Sequence, residues 1–270
     1  SLVAASLAQG RVGLAIALGF AGFFSAIYHP IGTAMLVANA RQLGRDLGWN
    51  GVWGNIGAAL ASAVTAFIAV RLGWRAAFVL PGIVCILVGV AFFVLVAGDT
   101  VAPARGKASL STAEISRPLV LLAAFAIAVV AGGMTFNITT IALPKIIDEG
   151  LGTALPLALV GSLATLIFVC GALTQLAVGW LVDRYRLPTI FVGLSLFQPL
   201  GLALAATSSG IVLVAGLLLV TSAIYGQVVI NDTMIARYIP DQYRAKAYSV
   251  RYFLGFTASG FAAPLIALLH

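Results

Sequence analysis

The chain has 270 residues, of which 61% are hydrophobic and only 9% are charged. A soluble domain carries about 25% charged residues, so this composition excludes a water-soluble protein and indicates an integral membrane protein. The net charge of +7 would suggest a nucleic-acid ligand in a soluble protein. Here the charges lie in short loops and indicate membrane topology instead, so no nucleic-acid partner is expected.

Apolar runs follow one another along the chain, and each is long enough for a membrane helix, which takes about 20 residues. We predict eight helices, at 11–39, 51–71, 76–97, 118–143, 156–182, 188–207, 211–237 and 245–269. The connections are short except for the polar segment 98–117, which predicts a linker between three helices and five. Both ends of the chain interrupt this pattern, so we expect a fragment of a longer protein.

The basic residues are distributed unequally between the two ends of the predicted helices. Eleven of the fifteen fall on the side of segments 40–50, 98–117, 183–187 and 238–246, when Arg251 is counted with them, and four fall on the other side. The positive-inside rule places the first group in the cytoplasm. Segments 71–75 and 144–155 are then external.

No enzyme motif is present, since the chain lacks both a Walker-type phosphate loop and a Gly-x-Ser-x-Gly sequence. Cys85 and Cys170 lie within apolar runs and are interpreted as small packing residues. We therefore predict a protein that is not an enzyme, with no cofactor and no metal site.

The densest charge cluster in the second half follows the helix at 156–182. It belongs to the sequence Gly179-Trp180-Leu181-Val182-Asp183-Arg184, in a turn too short for a domain. This sequence resembles the loop motif of the major facilitator superfamily, although the following Tyr185 departs from the family pattern. The resemblance implies an all-α polytopic bundle of two pseudo-repeated halves and a secondary transporter that works by alternating access.

A short internal repeat agrees with that resemblance. Ser25-Ala26-Ile27-Tyr28 recurs as Ser222-Ala223-Ile224-Tyr225, in each case inside an apolar helix that precedes a charged loop. Matched to the family, residues 1–97 are the end of the first half, 98–117 a cytoplasmic linker, and 118–270 a second half without its last helix. Three N-terminal helices and one C-terminal helix of the family are then missing.

The resemblance also assigns candidate site residues. The helices at 11–39, 118–143 and 211–237 correspond to cavity-lining helices, and polar side chains in a bilayer are expensive enough to indicate function. The predicted solute-binding residues are Tyr28, His29, Asn137, Tyr225 and Asp232. Each has an alternative: the tyrosines as packing residues, His29 beside Pro30 as a kink, and Asp232 as a solvated or ion-paired residue near a helix end.

The predicted gating residues are Gly179, Asp183, Arg184 and Arg237. The family's counterpart of Asp183 lies near a helix N-terminus of the other half, for which the candidates here are Trp49-Asn50-Gly51, with Arg237 as a basic neighbour. The alternative is a solvated turn residue paired with Arg184 or Arg186. In the helix at 51–71, Gly51, Gly54 and Gly57 predict close helix packing.

The predicted function is secondary transport of a small solute by a multi-pass protein of a cell inner membrane, expected to be monomeric. The coupling proton or ion, the solute and the direction stay open. One alternative is a drug or antibiotic efflux antiporter, although Gly57-Ala58 lacks the proline of the family's antiporter signature. A non-transporting receptor or scaffold is the alternative of another class. Tyr28-His29-Pro30 with Gly32 resembles the fosmidomycin-resistance-like members of the family.

Overall fold

The computed structural model describes residues 1–95, 118–151 and 156–269, and within these it contains helices and short connections but no strand. The helices are α1 (Leu2–Ser6), α2 (Arg11–Asn39), α3 (Leu43–Leu72), α4 (Ala76–Leu95), α5 (Pro118–Gly150), α6 (Leu157–Val182), α7 (Leu187–Thr207), α8 (Gly210–Tyr238), α9 (Asp241–Gly260) and α10 (Ala262–Leu269). The all-α prediction is confirmed. The predicted linker 98–117 lies outside the described residues.

Seven helices in the described part of the chain are long and apolar enough to cross a membrane. Two predicted boundaries were wrong. Helix α3 begins at Leu43 rather than near 51, and α5 continues through Pro144 to Gly150. The last predicted helix is a single candidate membrane span, Asp241–Leu268, in which a turn at Phe261 separates α9 from α10.

Contacts between residues divide the chain into two units, which are described separately. The first unit contains residues 1–32 and the described part of 56–111. In it, α1 packs on the start of α4, where Gly82 leaves room for Val3. The side chain of Arg75 holds the end of α1, since its Nε donates to the Ser6 carbonyl at 3.0 Å.

The second unit contains residues 33–55 and the described part of 112–270, so it joins the end of α2 and the start of α3 to the helices from α5 onward. Helix α8 is its central element and packs on α5, α6, α7 and α9. Glycines permit a close approach of α7 to α8: a Cβ on Gly201 would lie 2.6 Å from the Val220 nitrogen.

An apolar cluster in this second unit fixes the start of α3 against α6 and α8. Leu47 of α3 is 3% exposed and shares this cluster with Val178 and Val182 of α6 and with Val229 and Ile230 of α8. The packing places the end of α6 beside the start of α3, and the residues discussed below lie at that junction. The predicted division into helical halves at 97 and 118 stays a prediction.

Candidate functional site

Asp183 connects the end of α6 to the start of α3 through two hydrogen bonds. Its Oδ1 accepts a hydrogen bond from the Gly44 backbone N–H at 2.8 Å, and its Oδ2 accepts one from the Arg45 N–H at 3.0 Å. The first amides of a helix have no partner within the helix and carry about half a positive charge. The Asp183 carboxylate therefore satisfies two of these donors with both of its oxygens. We call this pair of hydrogen bonds the clasp.

Two glycines make the clasp sterically possible. A Cβ on Gly44 would overlap the Gly179 carbonyl oxygen and lie 3.0 Å from Asp183 Oδ1, and a Cβ on Gly179 would overlap the Gly44 carbonyl. The two helix backbones are therefore in direct contact, one turn before Asp183. Gly179, which was predicted as a gating residue, lies at this contact.

The predicted partner of Asp183 was one and a half turns too far along the chain. Trp49, Asn50 and Gly51 lie within α3, because the helix begins at Leu43 and its free amides are those of Gly44 and Arg45. Asp46 supports this helix start, since its Oδ2 accepts a hydrogen bond from the Arg41 N–H at 2.9 Å.

Arg237 and Arg184 lie beside the clasp without bonding to Asp183. The Arg237 guanidinium donates to the Val182 carbonyl at 2.7 Å, and so satisfies a free acceptor at the end of α6. The guanidinium of Arg184 lies over the Trp180 ring, with its carbon 4.0 Å from the ring centroid, and is exposed to solvent. Arg237 thus positions the helix end that carries Asp183, whereas Arg184 contacts its own helix.

The contact between α3 and α6 continues inward from the clasp through Gln175. This side chain is 3% exposed; its Oε1 accepts from Asn55 Nδ2 at 2.8 Å, and its Nε2 donates to the Tyr225 carbonyl of α8 at 3.3 Å. On α3, Gly48 and Gly51 leave the space that Gln175 occupies.

The predicted packing face of α3 was therefore only partly correct. Gly51 contacts Gln175, but a Cβ on Gly54 or Gly57 would meet nothing within 4 Å. The residues that do face α6 are Gly44, Gly48, Gly51 and Asn55, whose spacing of four and three follows one side of an α-helix. Residues spaced strictly every three positions, such as Gly51, Gly54 and Gly57, rotate progressively away from that side of the helix.

A buried ion pair joins α8 to α9. Arg251 donates to Oδ1 of Asp232, and their side chains are 8% and 7% exposed. They are the only buried charged side chains among the described residues. Tyr252 completes the arrangement: its ring lies 4.8 Å from the Arg251 guanidinium carbon and its hydroxyl is 3.5 Å from Asp232 Oδ1.

Hydroxyl groups extend this cluster in two directions. The Tyr248 hydroxyl donates to the backbone carbonyl of Asp232 at 2.7 Å and so fixes α9 to α8. The Tyr252 hydroxyl lies 3.4 Å from Oγ1 of Thr33, which is buried near the end of α2. The ion pair is thus connected to a helix from the first predicted half.

The sequence interpretation missed Arg251, which was counted with the loop charges. It lies ten residues inside α9 and is buried, so only ten of the eleven basic residues support the predicted orientation. A signal was present, because an arginine inside an apolar helix needs a counter-charge, and Asp232 is the nearest carboxylate on the preceding helix. The structure places Asp232 in an ion pair, as one of the alternatives had it.

The other predicted solute-binding residues occupy different surroundings. Asn137 bonds across to α9, where its Nδ2 donates to Ser259 Oγ at 2.5 Å. Tyr225 is 6% exposed and packs on Phe136, with ring centroids 5.3 Å apart. Tyr28 is 63% exposed and its ring contacts that of His29. Tyr28 and His29 belong to the first unit and the others to the second, so their convergence on one cavity stays a prediction.

No group of three or more His, Cys, Asp or Glu side chains that could hold a metal ion occurs in the described part of the chain. Cys85 is exposed and Cys170 half-buried, and both are free thiols. The polar chemistry of the site is therefore that of one carboxylate on a helix end, one buried amide and one buried ion pair.

Comparison with known proteins gives one result. The family model described as Major Facilitator Superfamily matches residues 1–269. No curated protein and no solved structure matches the chain.

Proposed function

Because this chain belongs to the major facilitator superfamily, we propose that it is a secondary active transporter that moves a small solute by alternating access. The observation that carries the proposal is the clasp, which joins α3 of the first predicted half to the end of α6 in the second. Such a contact exists only while these helix ends are together. It must break whenever the protein opens toward the predicted cytoplasmic side.

The strength of the clasp suits a contact that is made and broken in every cycle. A carboxylate at an exposed helix N-terminus gains about 0.3–1 kcal/mol, which is about a two- to fivefold bias toward the closed arrangement. Asp183 is solvent-exposed, so we take this range rather than the larger value of a buried pair. A bias of this size favours one state without preventing the other.

The pair of Asp232 and Arg251 is our candidate for the coupling site. Ionisable side chains within membrane helices mark ion paths and proton relays, and a buried pair adds little stability by itself. We propose that, during transport, the Asp232 carboxylate separates from Arg251 and binds a proton in its place. The coupling ion is then a proton. Tyr28, His29, Asn137 and Tyr225 are proposed to line the solute path.

The finer assignments follow from the family and stay proposals. We propose an inner-membrane location and a monomeric transporter, and the fosmidomycin-resistance-like subgroup stays a prediction. Transport of a labelled solute panel by the full-length protein in proteoliposomes distinguishes uptake from efflux by its direction. The absence of solute-dependent flux for the whole panel would favour the receptor or scaffold alternative.

The clasp is tested with Asp183→Asn in the full-length protein. A single cysteine at the buried position Leu47, in a background with Cys85 and Cys170 replaced by alanine, reports opening between α3 and α6 through its rate of maleimide labelling. We expect labelling to rise about two- to fivefold, with a slower transport rate and unchanged expression.

Asp46→Asn is the matched control for this experiment. Its carboxylate lies on the same helix start, but its hydrogen bonds stay within the segment from Arg41 to Asp46. This variant should leave the labelling rate unchanged. Equal labelling of Asp183→Asn and the parent protein, together with an equal transport rate, would reject the clasp as a gate.

A further inference from the structure

Gln175 connects three helices through one side-chain amide. Its Oε1 takes a hydrogen bond from Asn55 of α3, and its Nε2 gives one to the Tyr225 carbonyl of α8, while its own backbone belongs to α6. We call the chain of groups from Asn55 through Gln175 to the Tyr225 carbonyl the Gln175 bridge. It lies two helical turns inward from Asp183, on the same side of α6.

The orientation of the amide is determined from α8. A backbone carbonyl can only accept a hydrogen bond, so the group that faces Tyr225 must be the NH2 of Gln175. The Oε1 atom is thereby directed toward α3, where Asn55 supplies the matching donor at 2.8 Å. The hydrogen bond to α8 therefore orients the Gln175 amide so that its oxygen accepts a hydrogen bond from α3. Tyr225, whose carbonyl makes this bond, is also a residue of the proposed solute path.

Glycines on the neighbouring helices leave the space that the bridge occupies. Gly48 and Gly51 carry no side chain where Gln175 lies: a Cβ on Gly48 would be 2.8 Å from the Gln175 carbonyl oxygen, and a Cβ on Gly51 would overlap the amide itself. On α6, Gly171 leaves room for the Tyr225 ring, whose Cγ would lie 3.1 Å from an added Cβ. The α3 backbone therefore leaves room for Gln175, and α6 leaves room for the Tyr225 ring.

We propose that Gln175 is a positioning residue for closure, because it fixes the first half of α3 to α8 independently of the clasp. When α3 leaves, Gln175 Oε1 and Asn55 Nδ2 lose their partners together, and a buried polar group without a partner is costly. The Gln175 bridge therefore opposes the separation of α3 from α6 and α8 at a point two helical turns inward from the clasp. This proposal rests on the proposed alternating-access function.

The expected size follows from interhelical hydrogen bonds in membrane proteins. Their measured contributions correspond to about a threefold shift in an equilibrium on average, and up to about twentyfold. Gln175→Met keeps the length of the side chain and removes both bonds of the bridge. We expect it to raise maleimide labelling of a cysteine at Leu47 by about threefold or more in the full-length protein.

Gln198→Met is the matched control. Gln198 of α7 also bonds across to α8 through Gln227, but it takes no part in the contact between α3 and α6. Both methionine variants lose an interhelical amide bond to α8, so both should lower the thermal unfolding midpoint. Only Gln175→Met should change the labelling rate, which separates positioning from general stability.

Asn55→Leu provides a second line of testing in case Gln175→Met does not fold. It removes the bond to α3 alone and should raise labelling by no more than Gln175→Met does. Combined with Gln175→Met it should add nothing, because the two residues share the bond. Additive effects, or an unchanged labelling rate in both single variants, would overturn the proposal.

The clasp variant identifies which claim has failed. A labelling increase in Asp183→Asn without one in Gln175→Met or Asn55→Leu rejects the Gln175 bridge and leaves the proposed function in place. No increase in any of the three variants, together with an unchanged transport rate of Asp183→Asn, rejects both the Gln175 bridge and the clasp as a gate.

Discussion

The ion pair of Asp232 and Arg251 permits a quantitative prediction about stability. Their side chains are 7% and 8% exposed, so water neither screens nor replaces the interaction. Replacing Asp232 by Leu leaves the guanidinium of Arg251 buried without a counter-charge. Removing one partner of such a pair typically costs about 3–5 kcal/mol, and we expect a loss of that size in the free energy of unfolding.

The double variant Asp232→Leu with Arg251→Met should recover most of this loss. Replacement of both charges by apolar side chains of similar volume is often neutral or even stabilising by about 1–4 kcal/mol. Tyr248 still holds the two helices together in the double variant, because its hydroxyl bonds to the backbone of residue 232 rather than to the carboxylate. We expect the double variant to be stable but to transport without proton coupling.

The assay is reversible unfolding of the purified full-length protein in mixed micelles, followed by tryptophan fluorescence. Asp241→Asn serves as the control, because its pair with Arg244 is close, at 2.6 Å, but Asp241 is 67% exposed. That variant should change the free energy of unfolding by less than about 1 kcal/mol. The reasoning would be refuted if Asp232→Leu alone changed the free energy of unfolding by less than about 1 kcal/mol. It would also be refuted if the double variant were no more stable than the Asp232→Leu single variant.

Three further predictions concern the contact of α3 with α6, the topology and the solute path. Gly44→Ala should raise labelling at Leu47, because its Cβ would overlap the Gly179 carbonyl, whereas Gly54→Ala, with nothing within 4 Å, should not change it. An impermeant maleimide should label a cysteine at Lys145 in intact cells but not one at Arg184; strong external labelling at Arg184 would reverse the predicted orientation. Tyr225→Phe should change the KM or the rate of transport, and unchanged kinetics would assign Tyr225 to packing alone.

The sequence predicted the helices well because an apolar run and its length are local properties. One signal that failed was at the start of α3. The segment from Leu43 to Asn50 contains Arg45 and Asp46, so hydropathy assigned it to a loop, yet it is helical, because Asp183 satisfies the free amides of Gly44 and Arg45 and Asp46 accepts from the Arg41 amide just before the helix. A hydropathy argument gives no weight to such capping bonds.

The candidate site was predicted in part. The resemblance of the motif around Asp183 to the family implied a contact with a helix N-terminus, and a carboxylate and free amides are complementary whatever the exact register. The partner of Gln175 could not be predicted, since it depends on three helices meeting at one point. Arg251 was missed because a charge count treats every arginine near a loop alike, whereas its burial depends on Asp232 and on the packing of α9.

The most direct test of alternating access is to lock the clasp. Gln42 and Arg184 are exposed residues next to the clasp partners Gly44 and Asp183, so cysteines there leave the clasp itself intact. A short, reducible thiol cross-linker should join them in the full-length protein in proteoliposomes, with each single-cysteine variant treated in the same way as the control. We predict that cross-linking abolishes solute flux and that reduction restores it. Flux at the rate of the uncross-linked protein would contradict the account.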